Sequence, residues 1–285
     1  MKYFSILVIT IILLTCNVLA QIGLYPQAVF LNMQNRASNL KIMNTTDQTK
    51  EILIDIKFGF PQYDSLGNYT LAYGDSLPEA VWSAVPYVKV FPKKLLLKAK
   101  EEQVVKFMLG NMSNVPDGTY FGRIMVLSKN PPEEIDTTYT DKITAKLDIH
   151  FTLVSALIVD KGKTNCAIKV IPDIATVDSA KVNFFVGIEK GGNSPFLGTS
   201  EIKVYDMSGK IVSETKEMTP YYFNSRKSFK FDKKLFKKGQ YKVELSMSNE
   251  HKDVPKEFKV AFDPIKESFI VDVDGQFEWK RWADI

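Results

Sequence analysis

Ile143-Thr-Ala-Lys-Leu-Asp-Ile-His-Phe-Thr-Leu153 is the stretch that decides the fold class. Positions 143, 145, 147, 149, 151 and 153 are all apolar, and the even positions between them are Thr, Lys, Asp, His and Thr. A strand turns successive side chains to opposite faces, so this period of two describes one long strand with a greasy face and a wet face. On a helix the same residues would be scattered around the axis. Shorter alternations occur at 40–43, 52–58, 87–91 and 104–109. More follow at 167–170, 181–188, 201–205, 211–214, 228–231, 241–247 and 257–262. Gly, Pro, Asn and Asp separate them, and no stretch carries a helical period with caps. Short strands with a turn signal every ten residues or so indicate an all-β chain of sandwiches.

The composition agrees with a packed protein. Of 285 residues, 45% are hydrophobic and 25% charged, which excludes a disordered or collagen-like chain. The net charge of +4 is spread along the sequence, which argues against a nucleic-acid binder. Residues 1–20, MKYFSILVITIILLTCNVLA, read as a cleaved signal peptide: a basic start at Lys2, a short apolar run, and Val18-Leu19-Ala20 before the cut. Thr15 fits the position before a lipoprotein Cys16 poorly. Cleavage leaves Cys166 as the only thiol, so the exported fold must rely on its core and not on an internal disulfide. No later segment approaches the roughly 20 apolar residues of a membrane span, and the mature chain is expected not to cross a membrane.

An internal echo divides the chain. Gly118-Thr-Tyr120 leads into Ile124-Met-Val-Leu127, and Gly239-Gln-Tyr241 leads into Val243-Glu-Leu245. Gly, one residue, then Tyr at the start of a strand matches the tyrosine corner of immunoglobulin-type sandwiches. One such site in each half implies two immunoglobulin-like β-sandwiches in tandem. The expected domains are 21–160 and 161–268, with a joint at 155–163 and a tail at 269–285 holding Phe277, Trp279 and Trp282.

The first half resembles the periplasmic pilus chaperones of the PapD-like superfamily, including the variants of Bacteroidetes-like bacteria. Leu24-Tyr-Pro-Gln-Ala-Val-Phe30 is similar to the family's first strand, and Leu40-Lys-Ile-Met-Asn-Thr-Thr46 to its L-x-I-x-N strand and turn. Val90-Phe-Pro92 and Leu95-Leu-Leu-Lys-Ala-Lys-Glu-Glu-Gln-Val-Val-Lys106 resemble the block that ends Q-x-V-R, with Lys106 in place of the Arg. Val115-Pro-Asp-Gly-Thr-Tyr-Phe-Gly-Arg-Ile-Met-Val126 and Pro131-Pro132 follow in order. In the second half, Lys203-Val-Tyr-Asp-Met-Ser-Gly-Lys-Ile-Val212 is similar to sorting domains of type IX secretion, although those end their chains and this stretch does not.

The resemblance implies a protein that holds a pilus subunit by strand addition. Main-chain hydrogen bonds supply affinity and alternating apolar side chains fill the partner's groove. The residues that would do so are Ile143, Ala145, Leu147, Ile149, Phe151 and Leu153. The family also anchors a terminal carboxylate in the inter-domain cleft with an Arg and a Lys. The matching positions here are Gln27, which carries no charge, and His150, which is mostly neutral at pH 7. The expected partner is an exported subunit or a component of an envelope assembly. Two other functions fit the same sequence: a structural part of an envelope or secretion apparatus, and a surface adhesin or pilus subunit. No nucleotide, hydrolase or zinc motif is present, so no catalytic residue, metal or cofactor is assigned.

Overall fold

The computed structural model describes residues 21–132, 150–177, 180–273 and 280–281. They form two β-sandwiches. In the first, one sheet has the order β1 (Ile22–Tyr25), β3 (Ala37–Asn44), β9 (Glu102–Leu109), β7 (Val88–Phe91). The other has β2 (Ala28–Asn32), β11 (Phe151–Lys161), β10 (Gly118–Lys129), β4 (Lys50–Lys57), β8 (Lys94–Leu97). The opening strand is split between them: β1 pairs with β3, the chain turns at the cis Tyr25–Pro26 bond, and β2 pairs in parallel with β11. Alternate residues of both sheets, among them Leu31, Leu40, Ile52, Phe107, Val126 and Leu157, close the core.

The second sandwich pairs β12 (Ala167–Val177), β13 (Lys181–Gly191) and β16 (Ser225–Asp232). Opposite lie β15 (Ile211–Tyr221), β14 (Phe196–Asp206), β17 (Gln240–Ser248), β18 (Ile265–Asp272) and β19 (Lys280–Arg281). Its core is aromatic, built on Phe184, Phe196, Tyr221, Phe229 and Phe269. Each fully buried Phe of this kind contributes about 1.5–3 kcal/mol of transfer free energy.

Several expectations from sequence shift here. Ile143, Ala145, Leu147 and Ile149 lie outside the described residues, and β11 begins at Phe151. The odd positions do face inward, since Leu153, Leu157 and Val159 pack on the first core. The strand runs on to Lys161 and turns at Gly162, through the stretch expected to be a joint. The period fades there because Ile158, on the even face, is buried as well, and a strand covered on both faces reads as a continuous apolar run. Residues 257–262 are not a strand; Lys256–Phe258 is a 3-10 turn. The last long strand is β18, so Phe269, Ile270 and Val271, grouped with the tail, belong to the second sandwich. Phe277, Trp279 and Trp282 lie outside the described residues. Two elements went unexpected: the hairpin β5 (Gly59–Tyr63) and β6 (Tyr69–Tyr73), and the seven-residue helix α1 (Ser76–Trp82).

The Gly-x-Tyr echo is real geometry. The Tyr120 hydroxyl donates to the Pro116 carbonyl at 2.9 Å, and the Tyr241 hydroxyl donates to the Lys237 carbonyl at 2.9 Å. The preceding Gly118 and Gly239 have φ of +154° and +137°, which side chains rarely adopt. Both rings are buried. Tyr120→Phe and Tyr241→Phe should each lower unfolding stability by about 1–2 kcal/mol, since each leaves a carbonyl without its donor. The two losses should add in the double variant because the sites lie in separate cores. Urea titration of the three variants checks this, and a strongly non-additive pair would mean that the sandwiches do not act as separate units.

Candidate functional site

The β10–β11 ladder organises the candidate site. β10 pairs with β11 along its full length, from Ser128↔Phe151 to Gly118↔Lys161. On its other side β11 meets β2 only over Ala156–Asp160. Among the described residues, 151–155 therefore present an open edge. Phe151 and Val154 are 42% and 38% exposed there, and Leu153 lies against the core. An open edge with apolar side chains is a template for another strand.

Gln27 stands at the end of that edge. It is exposed, and its carbonyl accepts a hydrogen bond from Ser155 Oγ at 2.6 Å. His150 is exposed at the opposite end, before β11 begins. Five strand steps separate His150 from Ser155, about 16 Å at 3.3 Å per step. The structure does not bring Gln27 and His150 together, and the strand residues beside Gln27 are Ser155 and Ala156. Period-two sequence cannot fix such a register, because a slip of two or four residues leaves the pattern unchanged.

Aromatic side chains pack between the two sandwiches. Phe121 of β10 stacks on Phe58 at 5.5 Å and meets Tyr222 of the second sandwich edge-on at 4.6 Å. Phe60 contacts Phe223 at 4.9 Å, and Phe30 of β2 contacts Phe258 at 5.2 Å. The β5–β6 hairpin continues the seam: Arg226 Nη1 donates to the Ser65 carbonyl at 2.8 Å, and Lys230 bonds Asn68. A Cβ at Gly67 would come within 2.3 Å of the Ser228 nitrogen, so the hairpin turn lies flush on β16. The Phe58-Gly-Phe60 and Tyr221-Tyr-Phe223 runs were the sequence signal for this seam.

A polar elbow also joins the two bodies. Asn193 Nδ2 donates to the carbonyls of Asp117 and Lys163, and Thr119 N–H donates to the Asn193 carbonyl. Thr119 Oγ1 donates to Asp160 Oδ1 at 2.6 Å and lies 2.7 Å from Ser194 Oγ. Cys166, Phe258 and Lys259 line the same enclosed space as Asp160. Burial raises the Asp160 carboxyl to about 6, against which the Thr119 hydrogen bond acts weakly. Burial also pushes the Cys166 thiol to about 11, so it stands protonated and is no nucleophile at neutral pH. Among the described residues no group of three or more His, Cys, Asp or Glu could hold a metal, and no helix is long and apolar enough to cross a membrane.

Sequence reasoning missed one further residue, Arg123 of β10. It is 7% exposed, and its Nε has no hydrogen-bond partner. A lone Arg within Tyr120-Phe-Gly-Arg-Ile-Met-Val126 was the available signal.

No family model matches the chain, and no curated protein sequence matches it. Solved structures do. The YadV chaperone is 11% identical over 87% of this chain and 98% of its own, with a TM-score of 0.47. The chaperone–tip subunit pre-assembly complex CsuC–CsuE of Acinetobacter baumannii gives 11% over 87% and 98%, with a TM-score of 0.44. The E. coli chaperone DraB gives 12% over 86% and 94%, with a TM-score of 0.43. The chain is similar to the PapD-like pilus chaperones. At these identities the similarity concerns architecture and says nothing about a partner.

The buried Asp160 makes stability depend on pH. Its folded value lies above the ordinary carboxylate value, so the native state binds the extra proton first and gains stability as pH falls through 6 toward 4. Asp160→Asn should flatten that rise and be more stable than the parent at pH 7, by about 3 kcal/mol at most. Thermal unfolding from pH 4 to 8 measures both effects. A parent whose stability does not change between pH 7 and 5 would remove the buried-charge account.

Proposed function

We propose that this chain is an exported, non-enzymatic binding module that captures a partner subunit by adding a strand to the open edge of β11. The observation that carries the reading is the unequal cover of β11, paired throughout by β10 but by β2 only over Ala156–Asp160. Phe151 and Leu153 stand on the described part of that edge, and Ile143, Ala145, Leu147 and Ile149 extend the same alternation upstream. Backbone bonds to a strand at 151–155 give affinity, and the alternating side chains give register. The compartment in this reading is the periplasm, reached through the leader at 1–20. The carboxylate anchor on Gln27 and His150 has no support, since the two stand at opposite ends of the edge.

The filled seam favours a second reading, a fixed component of an envelope assembly. An aromatic seam and a hydrogen-bonded elbow hold the two sandwiches at one angle, as suits a permanent part. The two readings separate by stoichiometry: sub-stoichiometric subunits released on assembly support capture, and a constant ratio of envelope proteins supports the fixed part.

Phe151→Lys with Val154→Lys tests the edge directly. Both side chains are half-exposed, so the variant should keep its circular dichroism and melt within a few degrees of the parent. Partner recovered by affinity capture from envelope extract should fall at least tenfold. Undiminished recovery by the folded variant would move the binding surface elsewhere.

A further inference from the structure

The hairpin that bridges the sandwiches has a bare side. β5 lies against β10, β15 and β16, whereas β6 pairs with β5 alone. Among the described residues, the backbone groups of Tyr69–Tyr73 that point away from β5 have no hydrogen-bonded strand beside them. Tyr69, Leu71 and Tyr73 share one face, paired with Tyr63, Pro61 and Gly59. They are 54%, 37% and 43% exposed. Leu66 in the turn is exposed as well, as are Leu77 and Val81, one helical turn apart on α1.

A bare edge recruits another strand, so proteins blunt their edges with charge, proline or a bulge. Other edges of this molecule follow that rule. β12 carries Pro172, Asp173 and a shift in register, β7 carries Lys89, β8 carries Lys94, and β15 carries Glu214, Lys216 and Pro220. β6, Tyr69-Thr-Leu-Ala-Tyr73, has none of these devices. Its side chains are held in place. The Tyr73 ring covers Gly59, where a Cβ would come within 2.7 Å of it, and Tyr69 meets Tyr63 edge-on at 6.2 Å.

We propose that β6 pairs antiparallel with β6 of a second copy about a two-fold axis at Leu71, joining two hairpins into one four-stranded sheet. Such a contact is isologous, so the strand must accept its own image. The sequence does. Tyr69 stands opposite Tyr73 of the second copy, Thr70 opposite Ala72, and Leu71 opposite Leu71. Aromatic cross-strand pairs are stabilising, and no like charges meet. A hairpin of two strands is marginal in water, and four strands with an apolar face are not. The ends of the strand complement each other in charge. The same register carried outward sets Asn68 opposite Gly74, and Gly67 opposite Asp75, of the second copy. Asp75 forms no side-chain cap on α1, and the Lys230 ammonium sits at Asn68. The pairing brings that carboxylate toward that ammonium once on each side of the axis. The contact is small, which makes the dimer weak and dependent on concentration. It uses β6 and not the edge at 151–155, so it stands or falls apart from the capture reading.

The test uses the whole mature chain. In sedimentation velocity from micromolar to millimolar concentration, the parent should pass from monomer to dimer. Leu71→Lys sets two ammonium groups face to face on the axis and should weaken the dimer about tenfold or more. Leu71 is half-exposed, so this variant should keep the circular dichroism and melting temperature of the parent. Phe151→Lys with Val154→Lys should dimerise as the parent does. Cross-linking reads the register. Leu71→Cys should form a disulfide-linked dimer on mild oxidation, because directly opposed residues lie close enough to bridge. Leu66→Cys should not, since ten strand steps, about 33 Å, separate it from its image. The parent, which holds Cys166, is the control. A parent that stays monomeric throughout, or a dimer that survives in folded Leu71→Lys, would overturn the pairing. So would a dimer lost with Phe151→Lys and Val154→Lys, or equal cross-linking at 66 and 71. Should Leu71→Lys fail to fold, the two cysteine variants decide alone. A monomeric parent that loses a bound envelope protein on Leu71→Lys would give the edge to another chain and overturn self-pairing.

Discussion

The antiparallel ladder between β10 and β11 is the constraint on which the rest depends. Its eleven rungs, from Ser128↔Phe151 to Gly118↔Lys161, are one rigid ruler laid through the first sandwich. At one end it holds out the edge at 151–155. Near its middle, Arg123↔Ala156 sets a cation beside the point where β2 takes over. At the other end, the Thr119↔Asp160 rung is also a side-chain hydrogen bond, and it lies against Ser194 of the second sandwich. A slip of one residue would turn every one of these side chains to the wrong face.

The second consequence is a fixed elbow. Apolar burial through Phe121, Tyr222 and Phe223 is joined by a polar net through Asp117, Asn165, Asn193 and Thr119. Neither alone sets an angle. Together they leave the two sandwiches little freedom to open, because opening would wet the aromatic cluster and break the Asn193 bonds at once. The cost falls on Asp160, a carboxylate held partly out of water with a hydroxyl as its acid-side partner. The hairpin β5–β6 belongs to the same device: it reaches from the first sandwich to β16 and roofs the seam with Phe60.

Legibility in the sequence followed the number of wet faces. Strands with one solvated face, such as β3 and β9, alternate cleanly and were readable. β11 and β10 are covered on both faces near the seam, so alternation fades where function gathers, and the strand was ended too early. Residues 257–262 alternate by chance in a 3-10 turn and its extension, while β18, with Phe269 and Val271 fully buried, was taken for tail. The hairpin was missed because Gly59 and Pro61 weaken a strand pattern, and its partner surface is supplied by the other sandwich.

By itself the sequence determined the class and the count: all-β, two immunoglobulin-like sandwiches, each stapled by a Gly-x-Tyr corner. Those are local matters, set by alternation, by a glycine with positive φ, and by a hydroxyl that reaches back four residues. Only the tertiary structure decided what stands beside what. It parted Gln27 from His150, packed rings between the sandwiches, and paired Arg123 with Lys57 across neighbouring strands. The physical reason is that strand pairing joins residues far apart in the chain, and a period of two states which face a side chain takes but not which neighbour it meets.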